Sequence, residues 1–185
     1  MVSTKEKAYI LVFLLGTLSI FSQAFLFREL TTTLRANELI LSLLLFNWFL
    51  GTSLGASFGL PLKSLTLKFV IYVILISLNP FLLKFYTILT QKSPGAFIEL
   101  HILMLITILL LFPFCYLSGS IFLDISKAFI KLGGKPGKFY AADALGGFLG
   151  GCLTYLVIAK LDSAIILSIA GMCGLLAIII FERKP

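Results

Sequence analysis

Apolar runs of membrane-spanning length, separated by short polar gaps, set the pattern of this chain. Taking about 20 residues as the length that crosses a bilayer, the runs fall near residues 8–27, 38–60, 67–89, 98–122, 139–159 and 163–181. The pattern predicts an all-α, polytopic membrane bundle of about six helices, forming a single transmembrane domain over 1–185. The connections are short and carry no Pro- or Ser-rich linker, so no soluble domain is expected between the spans. Two places interrupt the pattern. Asn79-Pro80 and Lys84 fall inside the third run, and Pro113 inside the fourth, where Ser118, Gly119 and Ser120 are available to satisfy backbone groups freed by a kink.

Composition strengthens this reading. Hydrophobic residues make up 59% and charged residues 12% of the chain, and the mean hydropathy is +1.09; soluble domains carry roughly 25% charged residues. The net charge of +7 does not imply nucleic acid, because the basic residues lie in the gaps between apolar runs rather than along one stripe. Counted by side, Lys5, Lys7, Lys63, Lys68, Lys127, Lys131, Lys135, Lys138, Arg183 and Lys184 oppose Arg28, Arg35, Lys84, Lys92 and Lys160. The basic excess is cytoplasmic, so both termini are expected there, in a bacterial-type inner membrane. Lys5 and Lys7 before an apolar run, with Ser22-Gln23-Ala24 near its end, partly mimic a signal peptide; the length of the run argues for a retained helix.

The stretch GKFYAADALGGFLGGCLTYLVIAK, residues 137–160, is the most distinctive. At about 100° per residue, Asp143, Gly147, Gly150 and Thr154 fall within about 60° of one another, with Gly146 beside them. Such a face admits another backbone closely, and a carboxyl in a bilayer faces protein or water. With the run starting near 139, Asp143 sits close to the helix start. There it is either a helix-end acid satisfied by backbone N–H groups, Lys138 or the Ser118 region, or a site for a proton or cation. The second run repeats the glycine device with Gly51, Gly55 and Gly59, one turn after Asn47, and the second and fifth helices are expected to be neighbours.

A polar group at the other end, Gln23, Arg28, Glu29, Arg35, Asn37 and Glu38, either clamps the first connection or binds a polar ligand. Gln23 reads as an interhelical hydrogen-bonding residue, and Arg28 lies too far along its helix to pair with Asp143. His101, the single histidine, has no partners at metal spacing, and Cys115, Cys152 and Cys173 read as small packing residues, so neither a metal nor another cofactor is expected. Lys127, Lys131, Lys135 and Lys138 suit anionic lipid, at about 1 kcal/mol per residue near the surface, or an acidic partner. No G-x-S-x-G, Walker, H-E-x-x-H or G-x-G-x-x-G context occurs, and residues 133–138 read as a turn.

Three stretches resemble the membrane portion of bacterial spermidine synthase-like proteins, the polyamine aminopropyltransferases with an attached transmembrane domain. They are 22–55, with Gln23, Arg28-Glu29-Leu30, Asn37-Glu38-Leu39, Trp48, Gly51 and Leu54-Gly55; 113–124; and 139–151, whose Tyr140, Asp143, Gly146, Gly147 and Gly150 resemble a Y-x-x-D-x-x-G-x-x-x-G element. The resemblance implies a membrane module whose aminopropyltransferase, a soluble Rossmann-like domain in that family, would follow the last helix. No catalytic residue transfers to this chain, so it is not expected to be an enzyme on its own. The expected role is a non-catalytic anchor or subunit for a separate soluble cytoplasmic partner or another membrane protein. The alternative is a small transporter or channel component for a cationic amine, and chemistry within the membrane ranks last.

Overall fold

The computed structural model describes residues 4–34, 38–62, 64–90 and 100–157, together with Gly171 and Gly174. These residues form five helices and no strand: α1 (Thr4–Leu34), α2 (Glu38–Phe58), α3 (Leu65–Thr90), α4 (Leu100–Lys131) and α5 (Pro136–Val157). Three of them contain stretches long and apolar enough to cross a membrane, Lys5–Thr32, Glu38–Phe58 and Met104–Lys131, and α3 contributes a shorter apolar stretch, Leu65–Asn79. The sixth run, at 163–181, lies outside the described residues except for Gly171 and Gly174.

Several helices extend beyond their apolar runs. The polar T-T-T stretch at the end of α1 continues the helix, with the hydroxyls of Thr31 and Thr32 both folded back to donate to the Arg28 carbonyl at 2.9 Å. α4 continues to Lys131 because Ile125 and Phe129 are still buried, with Phe129 packed edge-on against Tyr9 at 4.8 Å and tilted against Phe139 at 5.1 Å between ring centroids. Gly133 ends α4 at φ 71°. Its N–H donates to the Ile130 carbonyl at 2.9 Å and that of Gly134 to the Phe129 carbonyl at 3.1 Å, a Schellman arrangement that makes the glycine-rich run a turn. Pro136 then opens α5 where its missing N–H is not needed.

The helices associate in two tight pairs, α1 with α5 and α2 with α4. Between α1 and α5, an added Cβ on Gly146 would meet the Phe13 carbonyl, and one on Gly150 the Thr17 carbonyl. Both contacts advance in the same direction along the two helices, so the pair is parallel. In the other pair, a Cβ on Gly51 would lie 2.7 Å from Cys115 Cβ, one on Gly55 would strike the Tyr116 carbonyl, and one on Gly119 the Thr52 carbonyl. This pair is parallel too. Backbone contact of this kind is what small residues permit in a medium where apolar side chains gain nothing by leaving lipid.

The expected neighbourhood of the second and fifth helices is therefore corrected: no Cα of α2 comes within 8 Å of one in α5 among the described residues. Each glycine face is satisfied by a different helix. Gly59 also differs from expectation. It sits beyond the last turn of α2 at φ 68°, its carbonyl accepting from Tyr116 Oη at 2.7 Å, so it closes the helix as well as approaching Leu123.

α3 leans on α4. Tyr72 packs against Phe114, and the Asn79 amide donates to the Leu110 carbonyl at 3.0 Å. That carbonyl is next to the Leu109 carbonyl that Pro113 leaves without its intrahelical donor. Both α3 and α4 run unbroken through their prolines. Asn47, buried on α2, donates to Thr107 Oγ1 of α4 at 2.9 Å, and that hydroxyl donates on to the Met104 carbonyl at 3.0 Å. Interhelical bonds of this type contribute about 0.6 kcal/mol on average in a membrane and up to about 1.7. Accordingly, Asn47→Ala and Thr107→Val are each expected to lower stability by about 1 kcal/mol, with a coupling energy near 0.6 kcal/mol when combined. A double-mutant cycle of unfolding in mixed micelles measures it.

At one end of the bundle, the start of α1, the end of α2, the start of α3, the end of α4 and the start of α5 come together. Lys68 reaches Asp124 there at 2.6 Å, and an added Cβ on Gly133 would lie 3.8 Å from Lys5 Nζ. Lys5, Lys7, Lys68, Lys127, Lys131, Lys135 and Lys138 all collect at this end, as the charge count groups them. Lys63, Arg183 and Lys184 lie outside the described residues.

Candidate functional site

Because the two tight pairs do not close on each other along α2 and α5, a cavity of about 870 Å³ opens between them. α1 contributes Gly16 and Ser19, α2 Trp48 and Thr52, α4 Ser118 and Gly119, and α5 Asp143 and Gly147. The size is within the range of small-molecule sites, and so is the lining, mainly apolar with a few polar groups. Its mouth carries exposed side chains of α2, the apolar Phe46, Phe49 and Leu50 and the polar Ser53, whose hydroxyl donates back to the Leu50 carbonyl at 3.1 Å, and Ala144 of α5. Gly171 and Gly174 lie elsewhere, against Val73 of α3 and Leu18 of α1.

Asp143 is the only acid in the lining among the described residues. Since α5 begins at Pro136, Asp143 lies two turns in, about 10 Å along the axis at 1.5 Å per residue. The orphan N–H groups of the first turn are behind it, and its own N–H belongs to the helix ladder. The side chain makes no hydrogen bond or ion pair with any described residue, neither Lys138, which is exposed, nor Ser118. Its backbone and carboxylate abut Gly16 of α1, where a Cβ would lie 2.9 Å from Oδ1. The helix-end acid satisfied by its surroundings is not what forms.

The rest of the polar lining is partly engaged. Ser19 and Ser118 face each other across α1 and α4 at 3.4 Å, and Thr52 Oγ1 donates to the Trp48 carbonyl at 2.9 Å. Behind the serines, the hydroxyl of Tyr72 is fully buried without a hydrogen-bond partner among the described residues. Trp48, the single tryptophan of the chain, packs edge-on against Phe114 at 5.8 Å.

Of the other residues the sequence marks, Trp48, Ser118, Gly119 and Gly147 also line this cavity, and the remaining polar candidates do not. Asn47 is committed to Thr107. Gln23, Arg28 and Glu29 are half-buried on α1, and Arg28 lies about 18 Å beyond Gly16 along the helix. Glu38 is exposed at the start of α2, and Asn37 and Arg35 lie outside the described residues. Lys127, Lys131, Lys135 and Lys138 are exposed. Among the described residues no group of His, Cys, Asp or Glu is placed to hold a metal ion, and Cys115 and Cys152 are free thiols.

Lys68 and Asp124 went unmarked by sequence as a pair. Lys68 is buried at 1% exposure, its ammonium contacting Asp124 at 2.6 Å and Ser120 Oγ at 3.1 Å. The same Ser120 oxygen accepts the Leu60 N–H at 2.8 Å. The group ties the α2–α3 connection to α4, and none of its members is in the cavity lining. The only advance signal was a lysine and an aspartate each one to two turns inside an end on the same side.

The fold and the site together define a helical membrane protein with a lone carboxyl in an apolar, interhelical cavity. No family model, curated protein or solved structure matches the chain.

Proposed function

We propose that the chain is a membrane-embedded binding subunit for a cationic amine, acting as a small transporter or channel component, with Asp143 as the counter-charge. One observation carries the reading: a carboxyl that no described residue pairs, held in a cavity of small-molecule size. A carboxyl held within a bilayer without a partner is costly, and an ammonium supplies what is missing. We place the chain in a bacterial-type inner membrane with six spans and both termini cytoplasmic, a reading supported by the collection of lysines at one end.

Reconstituted into proteoliposomes, the protein is expected to take up or bind an amine saturably, and Asp143→Asn to reduce this at least about tenfold, with partial retention in Asp143→Glu. An unchanged Asp143→Asn variant would sink the proposal.

The exposed lysines favour a second reading, a non-catalytic anchor for a soluble cytoplasmic partner with an acidic face. Reversing Lys127, Lys131, Lys135 and Lys138 to glutamate should then release a partner that copurifies from native membranes, while amine flux stays undetectable.

A further inference from the structure

We infer that the ligand of the Asp143 cavity is a single-headed amphiphilic amine, one ammonium on an apolar body, which enters sideways from the bilayer between α2 and α5. The inference rests on the amine-binding reading and specifies its substrate class.

Three features lead to it. Among the described residues the cavity offers one carboxylate, so it neutralises one ammonium; a second ammonium on the same molecule would be left desolvated among apolar side chains without a counter-charge. The remaining wall suits hydrocarbon or an aromatic ring: Trp48, Phe122, Leu15 and Ile20 line it beside the small surfaces of Gly119 and Gly147. Finally, the mouth is flanked by Phe46 and Phe49, exposed by 57% and 65%. Both lie within α2, a helix apolar and long enough to span, so the opening meets lipid tails rather than water. A polyamine carries its charges in water and has no route through that mouth, whereas an amphiphile is already concentrated in the bilayer with its body at the right depth.

The site carries its own reporter, because Trp48 is the single tryptophan and lines the cavity. The full chain in phosphatidylcholine vesicles is titrated with a chain-brominated dodecylamine, whose bromine quenches indole fluorescence on contact, and with the brominated dodecanol of equal length. The amine is expected to quench at concentrations at least about tenfold below the alcohol, Asp143→Asn to bring it to the alcohol's level, and putrescine or spermidine not to displace it. Ala144→Leu, which narrows the mouth without touching the carboxyl, should weaken the amine and so serves as the second variant should Asp143→Asn lose its helicity. If putrescine or spermidine displaces the probe, or alone binds in an Asp143-dependent way, the amphiphile inference fails and the amine-binding reading stands. If amine and alcohol quench alike and neither substitution matters, the groove holds lipid and both fail.

Discussion

Gly55→Leu should separate α2 from α4 and give the largest loss of stability of any single substitution in the bundle. Even a lone Cβ at this position would run into the Tyr116 carbonyl, and backbone, unlike a side-chain tip, has no alternative rotamer. Overpacking of a core commonly costs about 1–3 kcal/mol, and a clash with main chain belongs at or above the top of that range. In lipid no hydrophobic term drives the helices back together once close packing is lost. The control is Gly151→Ala, on α5, where an added Cβ meets nothing within 4 Å; it should be neutral or stabilising by up to about 1 kcal/mol from helix propensity. Trp48 emission, set by its contact with Phe114 across the same pair, follows the separation during denaturant titration. Equal stability of the two variants would refute the assignment of α2 to α4.

The second large effect is expected at the ion pair. Asp124→Ala leaves the Lys68 ammonium, 1% exposed, without its counter-charge, and removing one partner of a buried pair costs about 3–5 kcal/mol. Asp124 is itself 36% exposed, so water reaches the pair and a loss of about 2–3 kcal/mol is expected. Lys68→Met should cost far less, on the order of 1 kcal/mol or below, because the carboxylate left behind can be hydrated and the methionine fills the lysine's apolar path. Ser120 accepts the Leu60 N–H, a bond expected to persist in both variants. Thermal unfolding of the two variants, followed by loss of helicity in micelles, tests this order. A Lys68→Met variant as damaged as Asp124→Ala would mean that the lysine's hydrogen bond to Ser120, not charge compensation, holds the α2–α3 connection.

The glycine faces show how much of such a bundle is legible in advance. The spacing of Gly146 and Gly150, and of Gly51 and Gly55, marks surfaces that another backbone must approach, and in each case one does. The identity of that backbone was not legible. Gly146 and Gly150 meet Phe13 and Thr17, ordinary residues whose carbonyls accept the close approach, and no pattern in α1 apart from Gly16 announces it. Matching one glycine face to the other was reasonable on composition, yet a glycine needs only a partner whose backbone is accessible.

Asp143 shows a boundary effect. A start near 139 puts it about one turn in, close to the unsatisfied N–H groups of the helix end; a start at Pro136 puts it about two turns in, away from them. A shift of less than one turn removes the helix-end N–H groups from its reach and leaves a carboxyl that needs a partner. Lys68 is the opposite case: beside an apolar run it reads as an interfacial lysine, and only the approach of an aspartate 56 positions away makes it a buried structural cation.

Apolar runs and the distribution of lysines were sufficient to establish the helical membrane class, the main spanning segments and the gathering of basic residues at one end, because run length and charge are local properties that a bilayer reads segment by segment. The pairing of α1 with α5 and of α2 with α4, and with it the cavity in which Asp143 stands, came only with the folded chain. A cavity is the space left where helices do not touch, and a one-dimensional pattern specifies which faces can pack without specifying which faces stay apart.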